Sequence, residues 1–188
     1  DPDPQAERKI NEVLANARRS LPALYDRALP EEGKLTFHDD MTKAVAEAQW
    51  IQESVPEQLA LKHKILAQIQ AHAPKDCLIG SSTSGFKPSE LQQGSIKPEQ
   101  IVVAHPFNPV YLLPLIEVVP SAATDAATLE AGCDVLRSVG LKPLVVRKEI
   151  DAHIADRLLE AVWREGLWLV HDEVATTEEI DDAIRYGF

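Results

Sequence analysis

Ile101-Val102-Val103-Ala104-His105-Pro106-Phe107-Asn108-Pro109 is followed a few residues later by Leu115-Ile116-Glu117-Val118-Val119. The β-branched start of the first run and the apolar flanks of the second read as two buried strands. Pro106 lacks an N–H and restricts the residue before it, so the first strand is expected to break after Ala104 and leave His105 at its exit. Ligand sites in open α/β sheets gather at such exits. Glu117 sits among Leu, Ile and Val, and a carboxylate is almost never fully buried unless paired, so it calls for a cation or a donor. His105 is the candidate partner. A histidine held by a glutamate is a general acid/base unit. The same two residues also admit a structural reading, a pair that only satisfies itself within a turn.

The chain has 188 residues and 45% hydrophobic content, enough to bury a sizeable core. Nineteen basic against thirty acidic side chains give a formal charge of -11, which argues against a nucleic-acid binder and leaves small solutes as expected partners. Cys77 and Cys133 are too few and too far apart for a disulfide framework or a metal spacing, so they read as reduced, buried thiols of a cytoplasmic protein. No stretch approaches the roughly 20 apolar residues of a membrane span. The start at Asp1-Pro2-Asp3-Pro4 and the abrupt end at Gly187-Phe188 read as the edges of an internal piece of a longer polypeptide.

Periodicity predicts a helix from Asp3 to about Ala28, with Pro22 kinking or ending it, a short strand at Leu35 to Phe37 and a short helix from Met41 to Ala48. A strand over Trp50 to Glu53 follows. Ser54-Val55-Pro56-Glu57 has the pattern of a capping box opening a helix through Ala71, with Leu61, Ile65 and Ile69 as its buried seam. Next come a strand from Cys77 to Ser81, a short helix from Ser89 to Gln93, the two strands already quoted, a helix from Asp125 to Val139 capped by Gly140, and a strand from Lys142 to Val146. This alternation predicts an α/β domain with a largely parallel sheet over residues 1–149. From Ile150 to His171 and beyond Thr176-Thr177-Glu178-Glu179 the pattern is helical only, the start of a second, all-helical domain over residues 150–188.

Three polar groups fall at expected strand ends: Glu53 to Glu57, Ser81 to Ser84, and His105 to Asn108. With Asp1 they converge on one crevice in a doubly wound sheet. In order and spacing, Ser81-Ser82-Thr83-Ser84, His105 with Asn108, and Glu117 resemble the 3-hydroxyacyl-CoA dehydrogenase superfamily. Glu53-Ser54-Val55-Pro56-Glu57, His105-Pro106-Phe107-Asn108-Pro109 and Ile154-Ala155-Asp156-Arg157-Leu158 are most similar to its L-carnitine 3-dehydrogenases. The L-gulonate 3-dehydrogenases, the lambda-crystallin branch, compete closely, and 3-hydroxybutyryl-CoA dehydrogenases stand further off.

The resemblance implies a Rossmann-type, doubly wound fold whose first strand and helix, with the glycine-rich pyrophosphate turn, are missing from this chain. It implies NAD as cofactor, a small 3-hydroxy acid such as L-carnitine as substrate, and a homodimer. His105 would be the base, oriented by Glu117, while Ser84 and Asn108 would hold the reacting oxygen and the nicotinamide side. Asp1, Glu57 and Lys62 would contact the cofactor. Asp156 departs from the Asn of many acyl-CoA members and suits a cationic substrate, for which Phe107, Tyr111, Trp163 and Trp168 are candidate aromatic faces. A relative that keeps the fold without catalysis, as in the crystallin branch, is the competing expectation from another class.

Overall fold

A computed structural model describes residues 3–24 and 31–187. The chain divides into two units, residues 1–149 and residues 150–188.

In the first unit, helix α1 (Ala6–Leu24) and short helix α2 (Met41–Val45) precede a five-stranded sheet. Asp40 starts α2 by accepting from the Thr42 amide at 2.9 Å. The sheet runs in chain order: β1 (Trp50–Glu53), β2 (Leu78–Ser81), β3 (Ile101–Pro106), β4 (Leu115–Val119) and β5 (Lys142–Val145). Helix α3 (Leu59–His72) crosses from β1 to β2, short α4 (Pro88–Leu91) lies before β3, and α5 (Ala126–Ser138) joins β4 to β5. The pairs β1–β2, β2–β3 and β4–β5 are parallel, whereas β3 and β4 are antiparallel. The sheet is thus mostly parallel and Rossmann-like, with one reversal that the strand pattern alone did not reveal. The cause is length: residues 107–114 are too few for the crossover that a parallel return requires.

Strand periodicity sorts the core into two faces. Ile79, Ile101, Val103 and Val119 pack with Leu66 and Ile69 of α3 and Leu91 of α4. Leu78, Val102, Ala104 and Val118 pack with Cys133 and Leu136 of α5 on the other face. Both buried cysteines are free, and burial pushes both thiols up. Gly140 at φ +87° closes α5 in the left-handed conformation, and the Leu141 amide reaches back to the Leu136 carbonyl at 3.1 Å.

Several expectations need correction. Residues 35–37 form no strand, and Leu35 and Phe37 are exposed, with no neighbouring strand to pair with among the described residues. The predicted end of the first helix near Ala28 lies outside the described residues. Ser54 and Glu57 do not form a capping box, because α3 opens later, with Gln58 at its N-cap. Its buried seam is Lys62, Leu66, Ile69 and Gln70, one position round from Leu61 and Ile65, because α3 presents Lys62 to the buried carboxylate of Glu53. His105 is not beyond the end of its strand: β3 continues through Pro106, which pairs with Ile116 and ends the run.

The second unit holds α6 (Ala155–His171) and α7 (Thr177–Gly187). α6 starts later than Ile150, since Ala152 and His153 adopt positive φ angles of 58° and 48°, which no helix accommodates. Thr176 and Glu179 exchange side-chain to backbone bonds at 2.8 and 3.3 Å, a capping box at the start of α7. No described helix is long and apolar enough to cross a membrane.

Gly80 lets the α5 face close. A Cβ there would lie 2.6 Å from both Ala104 Cβ and Trp50 Cζ2. Gly80→Ala should therefore destabilise the first unit by about 1–3 kcal/mol in denaturant unfolding; an unchanged midpoint would contradict this packing.

Candidate active site

The antiparallel register sets His105 of β3 directly opposite Glu117 of β4. Both point to the α3 and α4 face, since they continue the alternation of Ile101, Val103 and Val119. Glu117 is completely buried, and His105 Nδ1 lies 3.7 Å from its Oε2, within ion-pair reach and longer than a hydrogen bond. On the other side of the ring, His105 Nε2 is 3.1 Å from Ser84 Oγ. Phe107 meets the imidazole edge-on, with centroids 4.9 Å apart. The ring is thus held at both nitrogens and on one edge.

Ser84 owes its place to a second set of buried charges. Glu53 at the end of β1 receives the Lys62 ammonium at 3.0 and 3.2 Å, the Ser81 hydroxyl at 2.5 Å and the Val55 amide at 2.6 Å. Lys62 is only 1% exposed; it also donates to the Val55 carbonyl at 3.1 Å and stands 3.4 Å from Glu57 Oε2. Glu57 accepts from the Thr83 hydroxyl and from the Gly85 amide at 3.2 Å. Residues on both sides of Ser84 are therefore tied to β1 and α3. A buried ion pair with its remaining valences satisfied is a registry device, and removing one partner from such a pair costs about 3–5 kcal/mol.

The carboxyl ends of β1, β2 and β3 border a cavity of about 550 Å³ lined by Gln52, Ser54, Ser82, Ser84, His105 and Asn108 among others. Ser54 and Ser82 share a hydroxyl bond of 2.8 Å there. Of the predicted site residues, Ser84, His105 and Asn108 line this cavity, and Phe107 and Glu117 contact the His105 ring. Glu57 and Lys62 adjoin it through the serine turn. Tyr111 instead lines a separate cavity beside α1, with Ile10, Leu14 and Leu35. Asp1 lies outside the described residues. Asp156, Trp163 and Trp168 belong to the second unit, where Trp163 is exposed and Trp168 meets His171 edge-on at 5.3 Å.

The sequence reading missed Gln52, and it placed Glu53 and Thr83 at the crevice only within polar strand-end runs, with no role of their own. The demand for a partner that singled out Glu117 also applies to Glu53, a carboxylate closing the run Trp50-Ile51-Gln52, and could have pointed to Lys62 as a partner for Glu53.

Comparison with known proteins gives a consistent picture. The family model described as 3-hydroxyacyl-CoA dehydrogenase, NAD binding domain, matches residues 5–150, and that of the C-terminal domain matches residues 153–188. The chain is 65% identical over its whole length to a Ruegeria pomeroyi protein named L-carnitine dehydrogenase/betainyl-CoA thioesterase, and 54% identical to a Mesorhizobium japonicum L-carnitine dehydrogenase. It spans 39% and 52% of those two relatives. A crystal structure of 5-formyl-3-hydroxy-2-methylpyridine 4-carboxylic acid 5-dehydrogenase, titled an NAD+-dependent dismutase, superposes with a TM-score of 0.86 at 33% identity, over 98% of this chain and 60% of that one.

The Glu57 anchor carries a pH signature. Burial pushes its carboxyl up, but the Thr83 hydroxyl, the Gly85 amide and the Lys62 charge together hold it below the ordinary value of 4.5. A lowered folded value stabilises the fold above 4.5, and that contribution is lost as pH falls through the folded value. Glu57→Gln should lower thermal stability at neutral pH, with the gap to the unmodified protein closing below pH 4.5; a constant gap down to lower pH would contradict this role.

Proposed function

The chain belongs to the 3-hydroxyacyl-CoA dehydrogenase family, and from that premise we propose that, in a full-length protein, it supplies the cofactor side and the proton-transfer residues of an NAD-dependent L-carnitine 3-dehydrogenase. The observation that carries this reading is His105 held between Ser84 and Glu117 at the carboxyl edge of three parallel strands. The names of the relatives support carnitine as the substrate.

The donor set at this edge suits a dinucleotide. The hydroxyls of Ser54, Ser82 and Ser84 and the carboxylate of Glu57 stand at adjacent strand ends, where open α/β sheets bind nucleotides. We assign Glu57, with Lys62 behind it, and Asp1 to the cofactor, and Ser84 and Asn108 to the boundary between cofactor and substrate. NAD, when bound, supplies the hydride acceptor for the carbon being oxidised.

His105 takes the proton of the substrate's 3-hydroxyl at Nε2, the nitrogen that faces Ser84. That role places the ring hydrogen on Nδ1, facing Glu117. As the imidazole becomes positive, the buried Glu117 carboxylate stabilises it: opposite charges about 4 Å apart attract by about 4 kcal/mol at an effective dielectric of about 20. In rate that is about a thousandfold. Phe107 fixes the ring edge and is the aromatic group of the first unit that we assign to the cationic end of the substrate, an aromatic face contributing about 0.5–2 kcal/mol. That the full-length protein is a homodimer, as the family resemblance implies, is a further proposal.

The test offers L-carnitine, L-gulonate and 3-hydroxybutyryl-CoA to the full-length enzyme and follows NADH formation. We expect kcat/KM to favour L-carnitine by at least about a hundredfold, and His105→Ala to lower kcat by about 10²- to 10⁴-fold with the fold intact. A preference for either other substrate would overturn the substrate, and near-normal turnover by His105→Ala would overturn the mechanism.

A further inference from the structure

β2 pairs with β3 only as far as Val103, two residues before the imidazole. Beyond that point the serine turn leaves the sheet, so the backbone leading into His105 has β4 on one side and needs another hold on the other. Gln52 of β1 supplies it. Its Nε2 donates to the Ala104 carbonyl, the peptide unit that carries His105, at 2.8 Å, and to Ser82 Oγ, also at 2.8 Å. Its Oε1 accepts from Trp50 Nε1 at 3.0 Å, which fixes which end of the amide points where.

The reach from β1 to β3 passes over β2, and it is open only because position 80 carries no side chain. A Cβ on Gly80 would stand 3.1 Å from Gln52 Oε1 as well as 2.6 Å from Ala104 Cβ. The Gln52 side chain lies on the α5 face, opposite the face that carries His105, Ser84 and Glu117. It hydrogen-bonds neither reactive nitrogen, although it borders the same cavity as Ser84 and His105 and bonds the cavity-lining Ser82.

We propose that Gln52 is a positioning residue for His105: its amide bridges the Ala104 carbonyl and the Ser82 hydroxyl, and so fixes the imidazole and the Ser84 turn relative to one another. The assignment rests on the dehydrogenase reading for its consequence in turnover, though not for its geometry. Both hydrogens of the amide nitrogen are engaged, one on each of the two segments that meet at His105 Nε2. The 3.1 Å spacing of Ser84 Oγ and His105 Nε2 is thus defined twice, once through the Glu53, Lys62 and Glu57 anchor on the α3 face and once through Gln52 on the other. Small displacements of a reacting group cost up to about a hundredfold in rate, so a shift transmitted through the Ala104 peptide is measurable without touching the catalytic residues.

The experiment is Gln52→Met in the full-length enzyme, a change that keeps length and removes the amide. Two readings are taken: the ring-nitrogen resonances of His105, assigned by their loss in His105→Ala, and steady-state kinetics. We expect the resonances to move without any substrate present, and kcat to fall about tenfold. Unmoved resonances with unchanged kcat in the folded variant would overturn the proposal. Should Gln52→Met fail to fold, Gln52→Glu serves instead, since it keeps the bond from Trp50 but presents no N–H to Ala104 at neutral pH. Moved resonances in a protein that forms no NADH with any 3-hydroxy acid would uphold the bridge and remove the dehydrogenase reading, so the two fail separately.

Discussion

A carboxylate buried to zero exposure in the middle of a sheet is the constraint from which the site is built. Glu117 cannot be stripped of water without compensation, and the antiparallel register of β3 and β4 delivers His105 opposite it. That register depends on the short connection over residues 107–114, which forces the chain to return beside itself rather than cross over the sheet. One local feature of the chain thus breaks the parallel order, pairs the two ionisable residues and turns the remaining ring nitrogen toward the strand ends. The chemistry follows from where the sheet reverses.

The second ring nitrogen is useful only if its neighbour stays in place, and Ser84 sits on an exposed turn. Turns of that kind are among the least stable parts of a fold. Here both flanks are tied down: Ser81 to Glu53, Thr83 and Gly85 to Glu57, with Lys62 between the two carboxylates. The ion pairs adjoin the reactive edge rather than forming it. Their role is to hold a mobile kind of segment at a fixed distance from a rigid strand.

Much of the fold was legible because period and punctuation agree. The apolar runs at Leu78, Ile101 and Leu115, the Asp125 cap and the Gly140 stop each specify their element locally. The direction of β4 was less accessible, since strand pattern carries no sign, although loop length did. Leu35 to Phe37 has strand composition but, among the described residues, no strand to pair with, and composition cannot show a missing neighbour. At the site, the His105 and Glu117 pairing was readable from burial cost alone, while the roles of Glu53 and Gln52 depend on which strands lie side by side. Asp156 and Trp163 lie in the other unit, and their sequence positions alone place them in no common site with His105.

The central claim is that His105 and Glu117 act as one proton-accepting unit. The most direct measurement is a double-mutant cycle on kcat in the full-length enzyme, comparing His105→Ala, Glu117→Gln and the double variant with the unmodified protein. If the carboxylate acts through the imidazole, the double variant is no slower than His105→Ala alone, because nothing remains for Glu117 to stabilise. Losses that multiply, each residue contributing its full factor regardless of the other, would contradict the account.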